Sequence, residues 1–250
     1  MARAVVLITG GSRGIGAATA RLAAARGYDV AVTYRTERDA AAAIVAECRA
    51  LGAQACAIAG DIGVEADVLR VFDAAAEALG PIRHVVNNAG VTGRSSRLDA
   101  ADADVIRACI DTNVTGAILV AREAARRLST RNGGPGGSIV NISSVAASIG
   151  SPGEYVWYAA SKGAIDALTV GLAKELATEG VRVNAVSPGL VEMEIHARST
   201  GDAGRMERIA PLIPVGRIGQ PSEIAEAVLF LISDAASYTT GANIKVSGGR

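Results

Sequence analysis

The sequence predicts an α/β fold: a single Rossmann-type, doubly wound parallel sheet of about seven strands with helices on both faces. Three observations carry this prediction. Short apolar runs recur along the 250 residues with helix-periodic stretches between them, so each crossover can hold a helix and neighbouring strands run parallel. Most of these runs are apolar throughout instead of alternating, the pattern of strands covered on both faces. A glycine-rich turn, "TGGSRGIG" at 9–16, lies where the first run gives way to the first helix.

In chain order the strand-like runs are "AVVLIT" (4–9), "DVAVTY" (29–34), "AQACAIA" (53–59), "IRHVVNN" (82–88), "GSIVNIS" (137–143) and "VRVNAVS" (181–187), followed by a shorter "NIKV" (243–246). "GAATARLAAARG" (16–27) and "AAAIVAECRALG" (41–52) space their apolar residues for helices and end in Gly, a common helix stop. "NGGPGG" (132–137) reads as the turn before the fifth strand. With no low-complexity linker in the chain, residues 1–250 are expected to form one domain.

Composition narrows the function. Lys plus Arg equals Asp plus Glu at 25 each, leaving no excess positive charge to attract nucleic acid or an anionic membrane. Apolar runs are of strand length, and Arg3 leads directly into "AVVLITGG" without the longer apolar segment of a signal peptide, so a cytoplasmic location is expected. Cys48, Cys56 and Cys109 lack metal-ligand spacing and His84 and His196 are far apart, so reduced thiols and no metal are expected.

Gly10, Gly14 and Gly16 let the backbone approach a phosphate at the start of the first helix, where free N–H groups and the helix dipole stabilise negative charge. Ser12, Arg13 and Ile15 complete that turn. Three residues separate the first two glycines, unlike G-x-G-x-x-G, and the Lys-Ser/Thr ending of a P-loop is missing, which argues against ATP or GTP hydrolysis. The second strand ends in Thr33, Tyr34 and Arg35, where NAD-preferring folds usually carry an acid for the ribose hydroxyls. Arg35 and Arg13 can grip a 2′-phosphate, which favours NADP(H) with NAD(H) possible. Both arginines can equally be solvated surface charges, with Glu37 close enough in sequence to pair with one.

In "YAASK", Tyr158 and Lys162 stand four apart, on one face of a helix, and can address one site. A phenol of reference pKa about 10 is a poor acid or base at neutral pH, and a neighbouring ammonium is expected to lower it.

The chain resembles the short-chain dehydrogenase/reductase family over nearly its whole length, in particular 3-oxoacyl-carrier-protein reductases and glucose dehydrogenase-like members. The residues that carry the resemblance are Thr9-Gly10-x-x-x-Gly14-x-Gly16, "NNAG" at 87–90, Asn113 in "DTNVTG", Ser144 in "NISS", Tyr158, Lys162, and "SPG" at 187–189. It implies an enzyme that moves a hydride between nicotinamide and a small carbonyl or alcohol substrate. Tyr158 would be the acid and base, Ser144 the donor to the substrate oxygen, Lys162 the tuning cation, and Asn113 the holder of a water beyond the lysine. It further implies cofactor contacts from Asp61 and Ile62 at the adenine, Asn87, Ala89 and Gly90 along the ribose, and Pro188, Gly189 and Val191 at the nicotinamide. Ser143 and Ser148 compete with Ser144, and Met193 stands where relatives often have a threonine. The segment at 190–216 breaks the strand-and-helix rhythm and is expected to be a substrate lid, with Met193, His196 and Met206 as candidates for its pocket wall. Tyr155 and Trp157 read as substrate-side or packing aromatics. A homotetramer is expected by the same resemblance. The alternative is a catalytically silent dinucleotide-binding redox sensor.

Overall fold

The computed structural model describes residues 3–193, 202 and 204–250. Its apolar runs form one sheet of seven parallel strands among the described residues: β1 (Val5–Ile8), β2 (Asp29–Tyr34), β3 (Ala55–Ala59), β4 (Ile82–Asn87), β5 (Gly137–Ile142), β6 (Val181–Pro188) and β7 (Asn243–Val246). Their order across the sheet is β3-β2-β1-β4-β5-β6-β7. The helices between them are α1 (Gly14–Ala25), α2 (Arg38–Ala50), α3 (Glu65–Leu79), α4 (Ala103–Ile110), α5 (Ala117–Leu128), α6 (Ala146–Ile149), α7 (Val156–Leu176), α8 (Arg205–Ile209) and α9 (Pro221–Ile232).

Side chains of a strand point alternately to opposite faces, and the two halves of the core follow that period. Val6 and Ile8 of β1 pack with α1, α2 and α9, while Val5 and Leu7 pack with α3, α5 and α7. Both faces are covered, which is why the strands read as continuous apolar runs. The first strand is shorter than its apolar run, because Thr9 already belongs to the turn: its hydroxyl accepts from the backbone N–H groups of Asn88 (2.9 Å) and Ala89 (3.0 Å). Between α4 and α5 the chain makes a π-helical turn, Asp111–Gly116, a widening of the helix that often accompanies a functional site.

Close packing of α1 on the glycine turn depends on Gly16. A Cβ there would lie 2.4 Å from the Gly10 carbonyl oxygen and 2.6 Å from Asn88 Nδ2. Gly16→Ala is therefore expected to destabilise the fold by about 1–3 kcal/mol, read as a lower urea midpoint with an unchanged slope. An unchanged midpoint would show that the helix yields without cost.

Part of the expected lid, residues 194–201 and 203, lies outside the described residues, and His196 with it. After this stretch come the single turn of α8 and a 3-10 turn, Ala210–Leu212, so the break in rhythm corresponds to short elements there.

Candidate active site

The strand order reverses between β1 and β4, and at such a switch point the loops after neighbouring strands diverge and open a crevice. A cleft of about 810 Å³ opens there, within the usual range for small-molecule sites of about 300–1,000 Å³.

One wall is the glycine turn. Gly10, Ser12, Arg13, Gly14 and Ile15 line it. Gly14 has φ +54°, a left-handed conformation that favours glycine, and a Cβ there would meet Met193 Sδ at 3.0 Å. Arg13, the N-cap residue of α1, makes no side-chain capping bond, and the first turn holds no acidic residue. The N-terminal N–H groups thus meet no carboxylate from their own turn, the arrangement that accepts an anion. Asn88, which sequence reasoning did not single out, secures the turn: its Nδ2 donates to the carbonyls of Thr9 (2.9 Å) and Gly10 (3.1 Å).

Arg35, Asp61 and Ile62 line the far end of the cleft. Arg35 pairs with Asp61 at 3.6 Å, and Arg13 with Glu37 at 3.6 Å. All four side chains are at least 36% exposed, so these pairs are weak and open readily toward an incoming anion. Asp61 Oδ1 accepts from the Gly63 N–H at 2.9 Å, which sets the direction of the carboxylate. Ala89, Gly90, Pro188 and Gly189 line the middle.

Three expected contact residues lie behind the wall instead of on it. Gly16 is buried beneath the turn. Asn87 Nδ2 donates to the Ala117 carbonyl (2.9 Å) and Asn141 Oδ1 (3.2 Å), so it ties β4 to β5 and to α5. The Val191 side chain is buried. Near it, Gly219 binds the Leu190 carbonyl and the Glu192 N–H, leaving Val191's own backbone groups outside that pairing.

At the other end Tyr158, Lys162 and Ser144 line the same cleft. The helix α7 supplies the tyrosine and lysine one turn apart, and the loop after β5 supplies the serine. Lys162 Nζ lies 5.6 Å from the Tyr158 ring centre and donates to the Ile142 carbonyl at 2.7 Å. Burial pushes the Tyr158 phenol up to about 12, and its hydrogen bond with Ser144 opposes that shift. The lowering expected from Lys162 is not among the causes that move this phenol: desolvation dominates, and the opposing pull comes from Ser144. The Lys162 ammonium is itself lowered to about 8 by burial, against the pull of Cys109 and Asp166.

The three candidate serines differ in their partners. Ser143 is buried and its hydroxyl donates to Asp166 Oδ1 at 2.5 Å. Ser148 is absent from the cleft wall among the described residues. Ser144 alone of the three bonds Tyr158. Asn113, in the π-helical turn, sits behind the wall: its Oδ1 accepts from the Val91 N–H (2.8 Å), and its Nδ2 donates to the Val91 carbonyl (2.8 Å) and Ser161 Oγ (3.1 Å). Met193, Met206 and Tyr155 line the cleft. Trp157 packs instead, with Nε1 donating to the Thr92 carbonyl at 2.9 Å.

These residues fit a dinucleotide, with an uncapped helix start at one wall, two loosely paired arginines at one end, and a tyrosine–serine pair at the other. Comparison with known proteins agrees. A family model described as enoyl-(acyl carrier protein) reductase matches residues 10–250. An Escherichia coli protein named uncharacterized oxidoreductase YgfF is 47% identical over 99% of this chain and 100% of its own length. A 3-ketoacyl-(acyl-carrier-protein) reductase from Brucella melitensis, complexed with NADH, superimposes with a TM-score of 0.91 at 31% identity, covering 100% of this chain and 98% of its own. A short-chain dehydrogenase from Burkholderia cenocepacia, in complex with NADP, gives a TM-score of 0.89 at 35% identity, covering 98% and 96%.

The fold and the site define an oxidoreductase of the Rossmann type. The chain belongs to the short-chain dehydrogenase/reductase family. No helix among the described residues is long and apolar enough to cross a membrane.

Proposed function

We propose that this enzyme prefers NADP(H) and interconverts a small carbonyl compound and its alcohol, with Tyr158 as acid and base at the oxygen. The observation that supports this most is the meeting of Tyr158, Ser144 and Lys162 in the cleft that the glycine turn opens. When bound, the dinucleotide supplies the hydride for reduction and takes it up in oxidation. Tyr158 gives its proton to the substrate oxygen in one direction and removes it in the other. Ser144, bonded to the same phenol, orients that oxygen and stabilises its developing charge. Lys162 places an ammonium beside the phenol and so favours the phenolate when it forms. Asn113 holds the Val91 backbone and Ser161 in place and would hold a water in the proton path beyond the lysine.

The turn residues Gly10, Ser12, Arg13, Gly14 and Ile15 would hold the pyrophosphate, Asp61 and Ile62 the adenine, Ala89 and Gly90 the ribose, and Pro188, Gly189 and the Val191 backbone the nicotinamide end. Arg35 would leave Asp61 to bind the 2′-phosphate, with Arg13 beside it. We read the protein as a cytoplasmic homotetramer of single-domain subunits, its assembly testable by sedimentation.

The experiment is oxidation of NADPH and of NADH with a panel of ketones, 3-oxoacyl thioesters and sugars, for wild type and Arg35→Ala. Losing a charge-assisted bond to phosphate should raise KM for NADPH about tenfold or more, and leave that for NADH within about twofold. Equal effects on both cofactors would remove Arg35 from phosphate binding. No oxidation of either cofactor, despite tight binding, would favour the silent sensor.

A further inference from the structure

We propose that Arg205 and Glu154 bind a hydroxyl group of the substrate, so that the substrate is a compact polyhydroxylated compound, a sugar or polyol, and not a long acyl thioester. The inference rests on reading the cleft as a carbonyl/alcohol site and adds the substrate class.

Arg205, the first residue of α8, lines the cleft and is only 6% exposed. One edge of its guanidinium is saturated: Nε donates to Glu154 Oε1 at 2.9 Å and Nη2 to Glu154 Oε2 at 2.7 Å. Nη2 also donates to Tyr155 Oη at 3.1 Å. Nη1, shielded from solvent, has no hydrogen-bond partner among the described residues. A buried donor left unmet is costly, and a ligand oxygen that reached Nη1 from the cleft that Arg205 lines would remove that cost.

The position suits substrate and not cofactor. Tyr155, whose hydroxyl accepts from Arg205, packs its ring edge-on against the Tyr158 ring, with centres 5.6 Å apart and an interplanar angle of 88°. The free edge of the guanidinium therefore stands within a small molecule's length of the phenol that serves the reacting oxygen.

Charge selects the ligand. Glu154 already cancels the charge of Arg205, and Asp202, paired with Arg208, adds a further carboxylate to the cleft wall. An anionic substituent would meet repulsion. A neutral hydroxyl meets none: its oxygen accepts from Nη1 and its proton can go to Glu154, whose side chain is still 36% exposed. An apolar acyl chain in the same place would leave Nη1 unmet and strip water from an ion pair.

Titration calorimetry on the full chain with NADP⁺ present, using aldohexoses, alditols and monodeoxy hexoses as probes, tests this. Wild type should bind at least one hexose about tenfold or more tighter than one of its monodeoxy analogues, and Arg205→Lys should shrink that ratio to within about twofold, because an ammonium can pair with Glu154 but offers no second edge. In Glu154→Gln the charge of Arg205 is no longer cancelled, so a hexuronate should gain about tenfold relative to the neutral hexose. The proposal is overturned if no hexose or alditol binds, if Arg205→Lys weakens hexose and deoxy sugar by the same factor, or if Glu154→Gln leaves the hexuronate ratio unchanged. Because binding is read without turnover, sugar binding without hydride transfer would remove the redox reading and keep the hydroxyl site. Turnover of simple ketones without sugar binding would do the reverse.

Discussion

Tyr158→Phe is expected to lower turnover by about 10²- to 10⁴-fold in both directions while dinucleotide affinity stays within about twofold. The substitution removes one hydroxyl, the group proposed to exchange a proton with the substrate oxygen. It leaves no unmet polar partner, because Ser144 Oγ still accepts from the Ala146 N–H at 3.1 Å. Packing of the ring against Tyr155 is retained. Turnover would be followed by NADPH absorbance and affinity by quenching of the single tryptophan, Trp157. Turnover within about tenfold of wild type would take Tyr158 out of the chemistry, whatever Ser144 and Lys162 do.

Lys162→Met should cost about 10²- to 10³-fold in turnover at neutral pH and change the shape of the pH profile. In the wild type the ammonium is depressed from 10.5 to about 8, whereas the phenol stands near 12. Carbonyl reduction should therefore hold steady below about pH 8 and fall above it as Lys162 loses its proton, a limb the Met variant should lack. Stability runs the other way. Between pH 8 and 10.5 the unfolded chain keeps this proton and the folded chain has lost it, so the unfolded state binds more protons and folding gains as pH rises. Wild type should accordingly gain stability relative to Lys162→Met across that window in urea titrations. A wild-type profile without an alkaline limb near pH 8, or one shared by the variant, would show that Lys162 does not govern the rate.

Much of this site was legible before folding. Spacing put Tyr158 and Lys162 on one helix face but singled them out only together with the family resemblance, while Gly10, Gly14 and Gly16 stood out by their place between strand and helix. Ser144 was separable from Ser143 only by its partners, since Ser143 turns to Asp166 on α7. Asn87 and Val191 were expected on the cleft and lie behind it, because a strand end shows which residues are near a crevice but not which way each side chain faces. Asn88, one position further along, ties the glycine turn across a separation of 79 residues. The Arg205–Glu154 pair joins residues 51 apart, one of them in a segment with neither strand nor helix periodicity, so no local pattern announced it.

The sequence by itself determined the class of fold, the strand boundaries to within a few residues and the groups available for chemistry. Apolar period and residue spacing are properties of neighbours in the chain, and they survive without knowledge of the rest. Only the tertiary structure decided which end of each side chain meets the cleft, how far burial moves Tyr158 and Lys162 from their ordinary pKa values, and which charges cancel. Desolvation and long-range pairing come into being when distant segments exclude water together, so no single stretch of the chain carries them.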